Sequence, residues 1–152
     1  RAPEQAAALE GGPFVLSDGR TVGVHQGYPY YTVGQRKGLP ALGLPHYVVH
    51  ISPETNTVTI GPEAELYDRL LRVRALNLVK YDSLPDELPV HIQIRSNGAP
   101  HPGLLRSLDA RHAEAIFAEP VRAVAPGQAA VFYEGNDVVA GGWMMRRDEP
   151  LS

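Results

Sequence analysis

Not one of the 152 residues is a cysteine. That absence excludes a disulfide framework, a thiolate-ligated metal and a cysteine nucleophile within these residues. Tryptophan occurs once and phenylalanine three times, so most of the aromatic bulk rests on seven tyrosines. No apolar run approaches the ~18 residues of a membrane span, and no basic-then-apolar leader opens the chain. A soluble, reducing, cytoplasmic setting without membrane attachment is therefore expected. Neither sign of charge dominates: 14 Lys and Arg stand against 17 Asp and Glu, a net charge of −3. A polyanion would find no general attraction here, only a local basic patch. A GxxxxGK phosphate loop is missing, as is a glycine fingerprint opening a helix. None of Ser17, Ser52, Ser83, Ser96 or Ser107 sits in nucleophile-elbow spacing. The chain opens on Arg1 rather than Met, which suggests a piece of a longer protein.

Glycine (15) and proline (14) are plentiful, though short of the ~25–30% that marks disorder. They punctuate the chain like a β protein. Only Pro3–Glu10 has helical composition, and eight residues cannot hold a helix alone in water, so residues 1–12 read as a linker. Asp18-Gly19 separates Phe14-Val15-Leu16 from Thr21-Val22-Gly23-Val24 and predicts a hairpin with a type I′ turn. Pro53–Asn56 turns Tyr47–Ile51 back into Thr57–Ile60. Val90, Ile92 and Ile94 alternate with His91, Gln93 and Arg95, the cleanest strand pattern, ending at Asn97-Gly98. Gly135-Asn136 joins 129–133 to 138–140 in the two-residue II′ pattern, and 72–79 is a further strand candidate.

Residues 25–46 lack alternation and predict a long loop with at most one helical turn, and loops of that length in compact domains are commonly functional. Residues 61–70 read as a connector. The expected architecture is mainly β: a small central β unit over 13–66, an antiparallel β-barrel of six strands over 67–146, and a loose tail over 147–152.

Catalytic signals are weak. His46 and His50 are four apart but flank a β-branched run, where strand histidines rather than metal ligands are expected. Glu63/Glu65 and Asp86/Glu87 fall in connector and turn composition, where carboxylates are solvated. The informative segment is Tyr30-Tyr31-Thr32-Val33-Gly34-Gln35-Arg36-Lys37-Gly38-Leu39. Two adjacent cations and Gln35 lie between glycines, just after two aromatics, a composition suited to phosphate approach and base stacking. It equally suits a surface loop whose tyrosines pack down and whose cations are merely solvated. Arg95-Ser96 at a strand end and Gln128 in the turn Ala125-Pro126-Gly127-Gln128 are further candidates. Each also has an ordinary reading as solvent-face or turn residues.

Taken in order, Thr32–Leu39, Tyr47-Val48-Val49, Val121–Tyr133 and Gly141-Gly142 resemble the C-terminal half of bacterial tRNA-specific 2-thiouridylases, over roughly residues 13–145. The resemblance implies a central β domain and a six-stranded barrel similar to the second domain of translation elongation factors, together holding tRNA. In that family an N-terminal domain binds ATP and adenylates the wobble uridine, U34, and a cysteine persulfide delivers sulfur. These residues match neither the nucleotide motif nor the cysteines, so no cofactor and no catalytic residue are expected in them. The implied partners are tRNA, the N-terminal catalytic domain and, through that domain, a sulfur-donor protein, with the chain itself a monomer. The family's barrel contacts fall here on Arg95, Ser96 and Gln128; Ser96 stands where an aromatic is usual and Asn97 where a cation often follows. Gln35, Arg36 and Lys37 complete the expected tRNA-binding set. A different reading of the same residues is a structural barrel whose basic loop docks a catalytic partner domain.

Overall fold

A computed structural model describes residues 10–94, 98–122, 126–146 and 149–151. The chain forms two compact units, Arg1–Tyr67 and Asp68–Ser152, each with its own apolar core. Among the described residues helix is confined to three 3₁₀ turns, Tyr28–Tyr30, Pro53–Thr55 and Glu63–Leu66, and no helix is long and apolar enough to cross a membrane.

The first unit is a four-stranded sheet of β1 (Gly12–Val15), β2 (Thr21–His25), β3 (Tyr47–Ser52) and β4 (Thr57–Gly61). Its order is β2-β1-β4-β3, with β1 and β4 parallel and the outer pairs antiparallel. That order puts β2 and β3 on opposite edges, so the chain between them must traverse the sheet. This is why residues 26–46 form a long loop. Tyr28, Tyr31, Val33 and Leu39 of the loop pack on the core of Phe14, Val48, Val58 and Ile60.

Local chemistry accounts for the turns, with one correction. The β1–β2 turn is not the type I′ pair expected. Leu16 accepts from Gly19 N–H and donates to the Arg20 carbonyl, both at 2.9 Å, and only Gly19 has positive φ (91°). This is a three-residue loop closed by a left-handed glycine, with the Asp18 carboxylate accepting from Arg20 N–H at 3.0 Å. The β3–β4 hairpin turns as expected, closed by Asn56 at φ 50°. The lead-in is shorter than expected, since β1 begins at Gly12; residues 1–9 lie outside the described residues.

The second unit is a closed six-stranded antiparallel barrel. Its strands are β5 (Tyr67–Leu78), β6 (Leu88–Gln93), β7 (His101–Ser107), β8 (Ala113–Arg122), β9 (Ala129–Glu134) and β10 (Asp137–Met144), closing in the order β10-β5-β8-β7-β6-β9. So narrow a barrel is filled by its own side chains. Buried Phe132, Ile92, Leu105 and Val73 share the interior with the small side chains of Ala113, Ala115, Ala130 and Ala140. The stretch expected as a connector is shorter than 61–70: it holds the turn Glu63–Leu66, and Tyr67–Leu70 already belongs to β5. The 12-residue β5 is irregular at Ala75 (φ 52°), facing the register shift of β10 between Gly141 and Trp143. The β9–β10 turn matches the II′ expectation, with Gly135 at φ 56° and Asn136 outside the positive-φ region.

Candidate nucleic-acid interface

The loop holding Gln35, Arg36 and Lys37 is built by backbone bonds to β3. Gly34 N–H donates to the Val48 carbonyl at 2.7 Å, and Val48 N–H returns a bond to the Gln35 carbonyl at 2.9 Å. Gln35 N–H closes a turn onto the Thr32 carbonyl at 3.0 Å. The half-buried Gln35 side chain then spans the loop: its Oε1 accepts from Thr32 N–H at 3.1 Å and its Nε2 donates to the Lys37 carbonyl at 2.9 Å. Gly34 and Gly38 bracket this frame at φ 95° and 80°. A Cβ would meet nothing within 4 Å at Gly34 and only Gln35 Nε2, at 3.9 Å, at Gly38. Backbone conformation, not room, demands glycine at both.

An aromatic hub fixes the loop's entry. Phe14, His25 and Tyr31 meet edge to face with centroids 5.3 to 5.5 Å apart. The buried His25 accepts Gly27 N–H at Nδ1 (2.9 Å), so its hydrogen sits on Nε2 and goes to the Asn56 carbonyl (2.8 Å). Asn56 in turn accepts Tyr28 N–H at Oδ1 (3.1 Å) and donates to the Glu10 carbonyl (2.9 Å). A polar group buried this fully is retained because each of its ring nitrogens is bonded. His46 likewise has a local bond, Nδ1 to the Leu44 carbonyl at 2.7 Å.

What the frame presents is charge. Arg36 and Lys37 are exposed, and among the described residues neither side chain has an acid or hydrogen-bond partner. Other cations are engaged: Arg20 with Asp18, Lys80 with Glu134 and Asp137, Arg106 with Glu114, and Arg69 with the Phe117 and Ala118 carbonyls. A third side chain without such a partner among the described residues is Arg111, in the β7–β8 turn. There Asp109 accepts from Arg111 N–H (2.8 Å) and from His112 Nδ1 (2.8 Å), and those bonds hold its carboxyl below the usual range, the Arg111 amide first. In the sequence Arg111 carries no signal beyond being a cation between a turn-forming Asp and an alternating strand.

In the barrel, Gln128 is exposed with its side-chain amide unengaged among the described residues. Its backbone is not free: Met144 N–H donates to the Gln128 carbonyl at 2.8 Å, and Gly127 N–H to the Met144 carbonyl at 2.9 Å. Gly127 makes the turn at φ 87°. The Pro-Gly-Gln turn is thereby pinned to the end of β10. Arg95 and Ser96 lie outside the described residues. The site residues expected from the sequence thus divide between the two units: Gln35, Arg36 and Lys37 together on one loop, and Gln128 on the barrel.

A mixed four-stranded unit followed by a closed six-stranded barrel defines a two-unit β protein. The comparisons with known proteins agree. A family model described as tRNA methyl transferase PRC-barrel domain matches residues 4–62, and one described as aminomethyltransferase beta-barrel domain matches residues 68–144. The chain is 45% identical over 140 residues to the tRNA-specific 2-thiouridylase MnmA of Carboxydothermus hydrogenoformans, covering 91% of this chain and 38% of that protein. The Salinibacter ruber protein of the same name is 50% identical over 137 residues, covering 90% and 36%. That of Paracoccus denitrificans is 40% identical over 144, covering 92% and 37%. The chain therefore spans a little over a third of the length of these curated relatives, within their C-terminal part. It belongs to the tRNA-specific 2-thiouridylase family, whose central and C-terminal domains it matches.

Proposed function

We propose that these residues hold tRNA for the thiolation of its wobble uridine. The observation that carries this reading is the braced loop at 32–38, which presents Arg36 and Lys37 without acid partners among the described residues, on a chain whose net charge is −3. Cations left unpaired on a rigid frame are suited to phosphates: binding releases counterions and needs no internal ion pair to break first. Gln35 acts through the shape of the loop, since both ends of its amide are already bonded. Gln128 is a neutral donor and acceptor for a base edge or sugar-phosphate, and Arg95 adds a third cation.

Adenylation of the uridine by ATP and delivery of sulfur by a donor protein belong, on this reading, to an N-terminal catalytic domain of the kind carried by the longer relatives. The residues here supply position rather than chemistry; without a cysteine they have no thiolate to carry sulfur. Positioning alone is a large lever, because fixing a substrate in reactive geometry replaces a bimolecular encounter.

The test is binding by the 152-residue chain. End-labelled tRNA at low salt should gain anisotropy with a dissociation constant in the micromolar range, on the order of other electrostatic, non-specific contacts. Absence of binding at low salt would overturn the proposal and favour a barrel that docks a protein domain.

A further inference from the structure

Trp143 is the one tryptophan of the chain, and it points outward, 46% exposed, next to the end of β10. Its neighbour Met144 takes the buried position. Among the described residues no ring, cation or hydrogen-bond acceptor engages the indole. A large apolar ring with a free N–H standing in water is an unusual use of the residue, which normally buries its body and bonds its donor.

The surroundings of the ring are cut back on two sides. Its partner across β9 is Ala129, which offers only a methyl group. Two residues back along β10 stands Gly141, where a Cβ would meet only the Ala130 carbonyl oxygen, at 3.5 Å. On the third side Arg74 of β5 is in register with Trp143, its guanidinium 3.6 Å from the Glu149 carboxylate. Just past that pair the Gln128 backbone is bonded to Met144, so the backbone of the Pro-Gly-Gln turn lies one register step from Trp143.

We infer that Trp143 is a stacking platform for an unpaired nucleobase of the tRNA, beside Arg74 and next to the turn that carries Gln128. This rests on the tRNA reading above and goes beyond it by assigning a base-contacting surface. A bare floor of Ala129 and Gly141 gives a planar ring room to lie against the indole. Arg74, in register across β5, flanks it with a cation, a group that meets a backbone phosphate or a base edge. Stacking of this kind tolerates any base, because every base has a π face.

With a single tryptophan, intrinsic fluorescence reports on this position alone. The 152-residue chain is titrated with unfractionated bacterial tRNA, and indole emission is followed beside the anisotropy of end-labelled tRNA. Quenching with the same midpoint as the anisotropy change is expected. Trp143→Ala should weaken binding about five- to hundredfold without changing the salt slope, since a neutral ring displaces no counterion. Trp143→Phe, which keeps a ring, should recover most of the loss, with circular dichroism showing the barrel intact in both variants. If tRNA binds with indole emission unchanged, or with equal affinity to Trp143→Ala, the platform is overturned and the RNA reading stands. If neither signal changes, the RNA reading itself falls, and the platform with it.

Discussion

Replacing Gln35 with alanine removes both side-chain bonds that span the cation loop, from Thr32 N–H and to the Lys37 carbonyl. Hydrogen bonds of this sort contribute about 0.5–1.5 kcal/mol each, and partly solvated ones fall at the lower end. The loop should therefore loosen by about 1 kcal/mol while Arg36 and Lys37 keep their charges. If Gln35 works only by holding those cations in place, tRNA affinity should drop about fivefold with the slope of log K against log salt unchanged. The same substitution in an Arg36→Ala/Lys37→Ala background should then cost nothing further, because there is no longer a cation to position. Such non-additivity is the signature of residues acting through one another. The assay is tRNA anisotropy across the four variants of the cycle, with amide exchange at Thr32 reporting the loosened loop. A full, additive Gln35→Ala penalty in the background lacking both cations would refute the argument and make Gln35 a direct RNA contact.

Three other outcomes follow from the geometry. Gln128→Ala should weaken tRNA binding and leave the salt slope unchanged, as measured by the same anisotropy titrations, because an amide releases no counterion. Gly142→Ala should lower the thermal midpoint by several degrees, corresponding to about 1–3 kcal/mol of overpacking, since its Cβ would lie 2.9 Å from Val73 Cβ and 3.0 Å from the Arg74 carbonyl oxygen; Gly141→Ala, with nothing closer than 3.5 Å, should be tolerated. The Glu134 carboxyl is held below its ordinary value by the Tyr81 hydroxyl and then by Lys80. A depressed value stabilises the fold above the ordinary glutamate pKa of about 4.3, and that stability is lost as pH falls through the folded value. The difference in thermal midpoint between the parent and Glu134→Gln should accordingly be largest near neutrality and shrink below about pH 4.

Much of the barrel was legible because its strands obey a period of two. Val90, Ile92 and Ile94 alternate with polar neighbours and are all buried, and the turns at Pro53–Asn56 and Gly135-Asn136 carry residues that tolerate left-handed backbone. β7 and β8 were hidden for physical reasons. β7 opens with His-Pro-Gly, a turn composition, yet Gly103 is needed there because a Cβ would sit 2.5 Å from the Ile116 carbonyl oxygen. The inward positions of β8 include Ala113 and Ala115, whose small side chains fill a narrow barrel but give little strand signal. The Asp18-Gly19 dipeptide does not fix its turn type, because it fits a G1-bulge loop as well as type I′. At the candidate site, the glycines and the Arg-Lys pair could be read from composition. The inward use of the Gln35 amide could not, because it depends on where the Thr32 and Lys37 backbone groups come to lie. The exposure of Trp143 was equally out of reach, since it follows from the register of β10 against β9 and β5.

The central claim, that the loop cations meet phosphates, is tested most directly by the salt dependence of tRNA binding to the parent chain and to Arg36→Ala/Lys37→Ala. With up to three cations engaged, the parent should give a slope of about −2 to −3, and removing the two loop cations should flatten it by about 1.4–1.8 while weakening binding. An unchanged slope and affinity in the double variant would contradict the account and leave the loop as a surface for a protein partner.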